Sequence, residues 1–379
     1  MLRYMTAGES HGKVLLAILD GMPAGLRLDT ALIDANLSRR MSGYGRGKRM
    51  QIEKDTVEVL SGTRKGITIG SPIALSVKNK DNSIESMHEV TCPRPGHADL
   101  AGVLKYGFIS ARDVLERASA RETAARVAAG SVARIFLAEF GIDVFSHVIQ
   151  MGPVKAFLDG MSHLDIKKKA LRSDTGCADK KASELMKEEV DKCASSGDTL
   201  GGVFETVITG VPAGLGSYVQ WDKRLDGILA RSVMAIPAVK AVSIGIGVEG
   251  ASRRGSKLHD TISYDAYAKK YLRGSNNAGG IEGGVTNGEP VIISGYMKPI
   301  ATLMRPLLSA DMNTKKTAKA SVERSDTAAV LASGVVSEAV VSIEIASAFM
   351  EKFGCDSMKD IMTNFREFTL KPSKSNKRI

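Results

Sequence analysis

The chain has 379 residues, of which 43% are hydrophobic and 5% aromatic, and its formal net charge is +10. This length suits one large domain or two medium ones, and the apolar content is that of a globular protein. No uninterrupted apolar run reaches the roughly 18 residues of a membrane span, which argues against an integral membrane protein.

Charge and cysteine usage narrow the class further. The basic residues are spread along the chain, which fits either nucleic acid or a small polyanionic substrate in a cationic pocket. Few aromatic residues and no stacking motif disfavour nucleic acid. The four cysteines form no CxxC pair, and the N-terminus has no basic segment followed by an apolar one. We therefore expect a cytoplasmic protein with reduced thiols, no signal peptide and no metal site.

The first candidate site is Gly-Glu-Ser-His-Gly at residues 8–12, just before an apolar run at 14–19. Glycines at both ends allow a sharp turn and close approach to a ligand. Two known motifs are similar. Gly-x-Ser-x-Gly is the nucleophile elbow of α/β-hydrolases, and residues 8–13 approach a phosphate-binding P-loop, except that Val14 replaces its Ser or Thr. A functional turn beside a buried segment is predicted, with these alternatives open.

A helix is predicted over 29–41, because Asp29 can cap it and Ile33 and Leu37 share a face. It leads into a loop at 39–49 in which glycines alternate with arginines and lysines. Such a loop is either solvated or suited to backbone and guanidinium contacts with phosphate, and we favour the anion site.

Strands are predicted at 57–61 and 66–78, followed by a polar loop at 79–92. The next segment, Pro-Arg-Pro-Gly-His-Ala-Asp at 93–99, predicts a rigid turn around one histidine. A lone histidine is usually structural. His97, however, lies between a cation and a carboxylate, which makes it a candidate general acid.

A second helix start is predicted shortly afterwards. Ser119 and Glu122 fit the S-x-x-E capping box, and the helix would end at Gly141. Free N–H groups and the positive dipole end, with Arg117 and Arg121 beside them, favour an anion site. The alternative is an ordinary cap with surface arginines.

The following segments carry weaker signals. A helix is predicted at 183–195, and strands at 202–209, 241–248 and 291–296. The Gly-x-Gly-x-x-Gly pattern within the second strand segment is not followed by a predicted helix. We therefore do not interpret it as a dinucleotide fingerprint.

The last third of the chain alternates between loops and one long helix. Residues 260–274 are predicted to be a flexible excursion, and the glycine-rich stretch 276–284 suits backbone lying against a ligand. Asp326 precedes a long helix that runs to Gly354, and its simplest role is to cap that helix. A C-terminal tail is predicted for 361–379, with a basic run at its end.

Two patterns occur twice in the chain. Gly-x-Pro-Ala-Gly-Leu lies at 21–26 and at 210–215, and a pair of phenylalanines closes each long helix. Those pairs are Phe136 and Phe140, and Phe349 and Phe353. Repeated motifs at similar spacing and in the same order suggest a duplication. Two related halves are therefore predicted, at about 1–150 and 200–360 with 151–199 connecting them, and a ligand site between them.

Together these motifs resemble the chorismate synthase family over nearly the whole chain, from Gly8 to about Asp356. The resemblance rests on three patterns: Gly-Glu-Ser-His-Gly at 8–12, Glu-Arg-Ala-Ser-Ala-Arg-Glu-Thr at 116–123 and Arg-Ser-Asp at 324–326. Arg-Pro-Gly-His-Ala-Asp at 94–99 and Lys-Pro-Ile at 298–300 agree with them. Each pattern is weak alone, but their joint presence in the family's order is very specific.

The resemblance implies a single α+β domain over 1–360, in which a helical core lies between antiparallel β-sheets in two pseudo-repeated halves. It implies a carbon–oxygen lyase acting on phosphates, at the last step of the shikimate pathway. The family converts 5-enolpyruvylshikimate 3-phosphate to chorismate and phosphate by an anti-1,4-elimination. It needs reduced FMN without net redox change, and it is homotetrameric. We see no separate reductase segment, so an external flavin reductase is expected, with NADPH only as an indirect source of reduction.

The resemblance also implies residue roles. His11 would protonate the departing phosphate, His97 would stabilise the protonation state of the reduced flavin, and Asp326 would lie near flavin N5 and help to relay the proton. The substrate-binding set would be Ser10, Arg40, Arg46, Arg94 and Arg121. The cofactor-binding set would be Arg40, Arg46, Arg117, Ala118, Ser119, Pro237, Ala238, Gly283, Lys298, Pro299, Ile300, Ala301, Thr302 and Arg324.

Some positions depart from the family pattern. Ser110 stands where an Asp is usual, and Ala301 replaces the usual Pro after Lys-Pro-Ile. No proposed catalytic residue is missing.

Two other classes of protein fit the sequence less well. A serine hydrolase using Ser10 is disfavoured, because an elbow at residue 10 leaves no room for the upstream strands of that fold. A basic nucleic-acid-binding protein would show salt-sensitive RNA binding and no affinity for flavin.

Overall fold

The computed structural model describes residues 2–47, 54–323 and 325–370. The helices in this part of the chain are α1 (Thr30–Met41), α2 (Asp99–Tyr106), α3 (Arg112–Ala118), α4 (Thr123–Ala138), α5 (His163–Ala170), α6 (Lys180–Ser196), α7 (Leu225–Met234), α8 (Gly255–Leu258), α9 (Val330–Phe353) and α10 (Met358–Leu370). The strands are β1 (Arg3–Ala7), β2 (Val14–Asp20), β3 (Val57–Val59), β4 (Thr63–Arg64), β5 (Ile67–Thr68), β6 (Ile73–Lys78), β7 (Asp143–Met151), β8 (Val154–Lys155), β9 (Gly202–Thr209), β10 (Val239–Ile244), β11 (Ile262–Asp265), β12 (Lys270–Arg273), β13 (Ile281–Glu282), β14 (Val285–Thr286), β15 (Val291–Met297), β16 (Leu308–Ala310) and β17 (Thr317–Lys319).

Two antiparallel sheets enclose a layer of helices. One sheet has the strand order β1-β2-β6-β3, and the other has the order β10-β15-β9-β7-β8. Helix α4 packs on β2 and β6, helix α9 packs on β7 and β9, and the two helices pack on each other. The predicted α+β class, with helices between antiparallel sheets, is confirmed.

The two central helices are built from small and apolar residues. Most side chains of α4 and α9 are buried, and many of them are Ala, Gly, Ser or Val, which allow close approach of neighbouring elements. Helix α9 is long and apolar enough to cross a membrane by length and composition, but 83% of its apolar window is buried inside the protein. The hydrophobicity of α9 is therefore explained by its place in the core.

The two sheets repeat the same strand arrangement. Reading β1, β2, β6 and β3 in one sheet and β7, β9, β15 and β10 in the other gives the same antiparallel order. Each half also inserts a short hairpin, β4–β5 or β13–β14. Because β7 begins at Asp143, the second sheet starts before residue 150.

The two Gly-x-Pro-Ala-Gly-Leu segments are held by equivalent threonines. The Thr68 hydroxyl donates to Pro23 O at 2.6 Å and accepts from Leu26 N at 2.9 Å. In the other half, the Thr286 hydroxyl donates to Pro212 O at 2.7 Å and accepts from Leu215 N at 2.8 Å. The repeated hexads thus take part in the same hydrogen-bonding pattern.

Several predicted elements are confirmed. Helix α1 has Asp29 as its N-cap, with the side chain accepting from Ala31 N. Strand β9 spans the predicted 202–209, and β15 matches the predicted 291–296 within one residue. The amphipathic helix at 183–195 lies within the longer α6.

Other predictions were wrong. The segment 260–274, expected to be a flexible excursion, contains the β11–β12 hairpin, in which Tyr264 and Tyr271 pair across the strands. The strand expected over 66–78 is broken into β5 and β6 around Gly70, whose φ is +80°. The predicted tail is helical over 361–370, because α10 buries Ile361 against the core. Residues 371–379 lie outside the described residues.

Candidate functional site

The Gly-Glu-Ser-His-Gly motif forms the tight connection between β1 and β2. Gly8 has φ of +105°, and a Cβ there would lie 2.3 Å from Val14 O, so only glycine fits. Asn79 clamps the turn from outside by donating to the carbonyls of Glu9 (3.1 Å) and Gly12 (2.7 Å). The prediction of a tight turn beside a buried segment is confirmed, because β2 buries Leu15, Ala17 and Leu19.

This turn presents His11 to a buried carboxylate on α3. His11 N donates to Glu116 Oε2 at 2.8 Å, and His11 Nδ1 lies 3.0 Å from both carboxylate oxygens. On its other side, His11 Nε2 lies 4.0 Å from Asp81 Oδ2. Burial raises the pKa of Glu116, but the hydrogen bonds from His11 and the charge of Arg112 outweigh it and leave that pKa below its usual value. Glu116 is therefore ionised beside the imidazole.

Ser10 points at the helix start that follows α3. Ser119 Oγ donates to Ser10 Oγ at 3.1 Å, and both side chains lie next to the buried α3. Because His11 directs Nδ1 to Glu116, it does not form through that atom the Ser–His pair of a hydrolase. Residue Ser110, which stands where the family has Asp, accepts from Arg112 N at 3.1 Å at the start of α3.

The capping box predicted at Ser119 is not formed. Ser119 accepts from Arg121 N at 3.3 Å and opens a single 3-10 turn over Ala120–Glu122, after which α4 begins at Thr123. Glu122 instead accepts from the Thr6 hydroxyl at 2.6 Å and pairs with Arg126. A long-range partner on β1 thus replaces the local reciprocal bond.

The two arginines predicted beside this helix start have different surroundings. Arg117 is an exposed residue in the last turn of α3, next to Ala118 at the end of the helix. It donates to Gly8 O at 2.9 Å and to Thr6. Arg121 is 4% exposed and donates to Asn79 Oδ1 at 2.8 Å and to Asp55 Oδ2 at 2.7 Å. The alternative of two surface arginines at an ordinary cap is therefore wrong for Arg121.

Asp55 joins two buried arginines from different elements. The same oxygen that accepts from Arg121 accepts from Arg40 Nη2 at 3.0 Å, and Arg40 is 3% exposed. Burial lowers the pKa of Arg40 to about 10, with Asp55 opposing the shift and the charges of Arg121 and Arg46 adding to it. Two guanidinium groups on one carboxylate leave an excess of buried positive charge, which suits an anionic ligand.

Asp326 ties the glycine–arginine loop to the second half of the chain. Its carboxylate accepts from Arg46 Nη1 at 2.9 Å and from Gly47 N at 2.6 Å. It does not cap the following helix, because α9 starts after Ala329 with no side-chain cap. The simple capping role considered for Asp326 is therefore wrong. Residues 48–53, which include the end of the predicted loop, and the cofactor candidate Arg324 lie outside the described residues.

His97 sits in a second carboxylate cluster. Its Nδ1 contacts Asp99, which is fully buried and also accepts from Arg94 Nε at 2.8 Å and Nη2 at 3.0 Å. Burial raises the pKa of Asp99, but the hydrogen bonds from His97 and Arg94 outweigh it and hold that pKa well below its usual range. The expectation that His97 is held between a cation and a carboxylate is confirmed.

The Lys-Pro-Ile segment packs against the His97 turn. Arg94 Nη1 donates to Thr302 Oγ1 at 2.7 Å, and Lys298 Nζ donates to Gly96 O at 3.0 Å. Lys298 N also donates to Ala238 O at 2.9 Å, and Ala238 has φ of +68°, which is unusual for a residue with a side chain. The cofactor candidates Pro237, Ala238, Lys298, Pro299, Ile300, Ala301 and Thr302 thus share one region.

Thr199 and Leu200 connect this region to Asp326. Thr199 Oγ1 donates to Ile300 O at 2.7 Å, and Leu200 N donates to Thr327 O at 2.8 Å. The contacts therefore run from the His97 cluster through Ile300 to Asp326 and Arg46. Gly283 is not joined to this network by any described contact. It lies in the turn of the β13–β14 hairpin, with φ of +60°.

Sequence reasoning missed three side chains that organise the site, which are Glu116, Asp55 and Asn79. Glu116 stood inside a recognised motif, but nothing in that motif paired it with His11, which lies 105 residues away in sequence. Asp55 and Asn79 had no local signal, because their arginine partners lie far away in sequence. In the described ranges 2–47, 54–323 and 325–370, no group of three or more His, Cys, Asp or Glu side chains is placed to hold a metal ion.

Comparisons with known proteins agree on one family. The family model described as "Chorismate synthase" matches residues 2–350. The chain is 53% identical over 383 residues to a chorismate synthase of Geobacter metallireducens, covering 96% of this chain and 98% of that protein. It is 52% identical over 380 residues to that of Desulforudis audaxviator, covering 97% of each. A solved structure titled "Crystal Structure of Chorismate Synthase" is similar with a TM-score of 0.80 and 41% identity, covering 97% of both chains.

Proposed function

The chain belongs to the chorismate synthase family, and we propose an assignment of its residues to the reaction of that family. The enzyme is a lyase that converts 5-enolpyruvylshikimate 3-phosphate to chorismate and phosphate. The observation that supports the assignment best is that the turn carrying the carboxylate-held His11 is joined through Asn79 to the buried pair Arg40 and Arg121.

The arginine cluster has the properties expected of a site for anionic groups. Arg40 and Arg121 are buried and share Asp55, and the charge of Arg46 adds to the lowering of the pKa of Arg40. Among the described residues Arg40 Nε has no hydrogen-bond partner, so it retains a donor for a ligand oxygen. We assign substrate binding to Ser10, Arg40, Arg46, Arg94 and Arg121, whose guanidinium groups match phosphate and carboxylate geometry.

His11 is assigned as the acid that protonates the departing phosphate. Its imidazole is partly shielded from solvent, with one nitrogen on Glu116 and the other directed toward Asp81. Both ring nitrogens thus lie on the side of a carboxylate. A proton held there is available when negative charge develops on the leaving oxygen.

His97 and Asp326 are assigned to the cofactor side of the site. Reduced FMN, when bound, supplies the electron density needed to remove a hydrogen from an unactivated carbon. His97 keeps Nε2 free of the Asp99 contact, so it can hold a proton against the flavin. Asp326 would carry a proton near flavin N5, which requires it to exchange its contacts with Arg46 and Gly47.

The remaining flavin contacts are proposed by motif. Arg117, Ala118 and Ser119 lie at one helix junction, and Pro237, Ala238 and 298–302 lie in the region next to His97. Backbone N–H groups and cations at both places suit the phosphate and ring oxygens of FMN. Gly283 and Arg324 complete the proposed set.

We further propose a cytoplasmic homotetramer whose two halves derive from a duplication, and which receives reduced FMN from an external flavin reductase. NADPH would then act only as an indirect source of reduction. The four cysteines are free thiols, as suits a reducing compartment.

The function is tested by anaerobic incubation with reduced FMN and 5-enolpyruvylshikimate 3-phosphate. We expect release of inorganic phosphate together with chorismate, and no release with oxidised FMN or without flavin. Flavin absorbance should change when a substrate analogue is added. Absence of phosphate release with reduced FMN would contradict the assignment, and covalent labelling of Ser10 by a fluorophosphonate would instead support a hydrolase.

A further inference from the structure

We propose that Glu116 is a positioning residue that fixes the tautomer and orientation of His11, so that Nε2 is the atom that exchanges the proton. This inference rests on the proposed role of His11 as the acid. Glu116 would touch neither substrate nor cofactor, and would act through the imidazole alone.

The contact geometry leaves one arrangement for the ring. A carboxylate can only accept hydrogen bonds when it is ionised, and His11 Nδ1 lies 3.0 Å from both oxygens of Glu116. Nδ1 must therefore carry the hydrogen. In the neutral ring Nε2 is then the basic atom, and in the imidazolium Nε2–H is the proton available for donation.

Glu116 also fixes the backbone that carries His11. Its carboxylate accepts from His11 N at 2.8 Å, and its own carbonyl accepts from Ser10 N at 2.9 Å. Because Glu116 belongs to α3 and is 2% exposed, neither contact can move without disturbing a packed helix. The ring and the backbone of the Ser10–His11 pair are thus held by one residue.

Three charged side chains surround the His11 ring and its partner Glu116. Glu116 and Asp81 face the two ring nitrogens, and Arg112 lies 3.5 Å from Glu116 Oε1 while pairing with Glu323 at 2.9 Å. Arg112 therefore shares its charge between two carboxylates and only partly neutralises Glu116. Asp81 is more exposed than Glu116, so water screens its charge more strongly.

The first test needs no turnover. In substrate-free protein labelled with 15N-histidine, neutral His11 is expected as the Nδ1–H tautomer, with its signals assigned through the His11→Asn variant. Observation of the Nε2–H tautomer in the folded wild type would overturn the proposal. Because this measurement is independent of catalysis, it can fail or succeed separately from the proposed function.

The second test uses Glu116→Gln, which keeps the shape and removes the charge. We expect the alkaline limb of the kcat profile to move to lower pH, because the ring loses the opposite charge beside Nδ1, with KM little changed. Asp113→Asn, an exposed carboxylate on the same helix, is the matched control.

Glu116→Asp separates charge from position. It keeps the negative charge but shortens the side chain, so the alkaline limb of the kcat profile should stay closer to that of the wild type while kcat still falls. A folded Glu116→Gln protein with an unchanged His11 tautomer and an unchanged pH profile would overturn the proposal.

Discussion

Gly130 on α4 and Ala339 on α9 are the point at which the two central helices touch. A Cβ placed on Gly130 would lie 2.4 Å from the Cα, Cβ and carbonyl oxygen of Ala339. Real Cβ atoms do not approach backbone atoms this closely, so the helix spacing depends on the missing side chain. Helices α4 and α9 therefore approach each other at a contact that only glycine permits.

The Gly130→Ala substitution should consequently destabilise the protein, although alanine is the better helix former. Overpacking of this kind costs about 1–3 kcal/mol, and the thermal midpoint should fall. Gly227→Ala, in α7, is the matched control, because a Cβ there meets nothing within 4 Å. That control should be neutral or stabilise the protein by up to about 1 kcal/mol. Equal midpoints for the two variants would refute the packing argument.

A buried ion cluster next to this contact should control acid stability. Glu338 on α9 is fully buried. It accepts from Arg39 Nη1 and Nη2 and from Arg134 Nη1, each at 2.7 Å, and from Ser146. Burial raises the pKa of Glu338, but the charges of Arg39 and Arg134 outweigh it and hold that pKa below its usual value. The carboxylate therefore stabilises the fold above the unfolded pKa of about 4.3.

Glu338→Gln should lower the free energy of unfolding near pH 7 by about 3–5 kcal/mol, because it leaves two half-buried arginines without their fully buried counter-charge. The deficit relative to wild type should shrink as the pH falls below about 4.3 and the wild-type carboxyl is protonated. Urea midpoints from pH 7 to pH 3 measure this, with the exposed Glu139→Gln as control. A deficit that does not depend on pH would show that the charge is not responsible.

His11 can be tested directly for its role as the acid. His11→Ala should lower turnover by about a hundredfold or more, the scale of a lost general acid, with a much smaller effect on KM. Anaerobic phosphate release with reduced FMN is the assay. The exposed His259→Ala is the control for loss of an imidazole. Near-normal turnover of a folded His11→Ala protein would refute the assignment.

Local patterns predicted the parts of the fold whose causes are local. Asp29 caps α1 because its carboxylate reaches Ala31 N two residues away, and the turn at His97 forms because Arg94 and Asp99 lie within the same short segment. Such contacts need no knowledge of the tertiary structure. The strand at 202–209 was likewise predictable, since its apolar residues are buried in the second sheet.

Predictions failed where a distant partner competed with a local one. Glu122 had the right spacing for a capping box with Ser119, but Thr6 and Arg126 bind its carboxylate instead. Asp326 could have capped α9, but the loop carrying Arg46 and Gly47 takes both of its oxygens. The role of Asp55 could not be predicted from the sequence, because only the fold brings Arg40 and Arg121 to the same carboxylate.

The paired threonines offer a test of whether the two halves are equivalent in energy as well as in topology. Thr68 and Thr286 are each nearly fully buried, and each hydroxyl bridges a proline carbonyl and a leucine N–H of its hexad. Replacement by valine keeps the shape but leaves both backbone groups without a partner. Each variant should therefore lose about 1–3 kcal/mol of stability, whereas Thr363→Val, on the exposed face of α10, should lose little.

Because the two sites lie in different sheets and share no partner, the losses in the double variant should add to within about 0.5 kcal/mol. Denaturant midpoints of the two single variants and the double variant measure this. A loss confined to one half would mean that the repeated hydrogen bonds are alike in geometry but not in their contribution to folding.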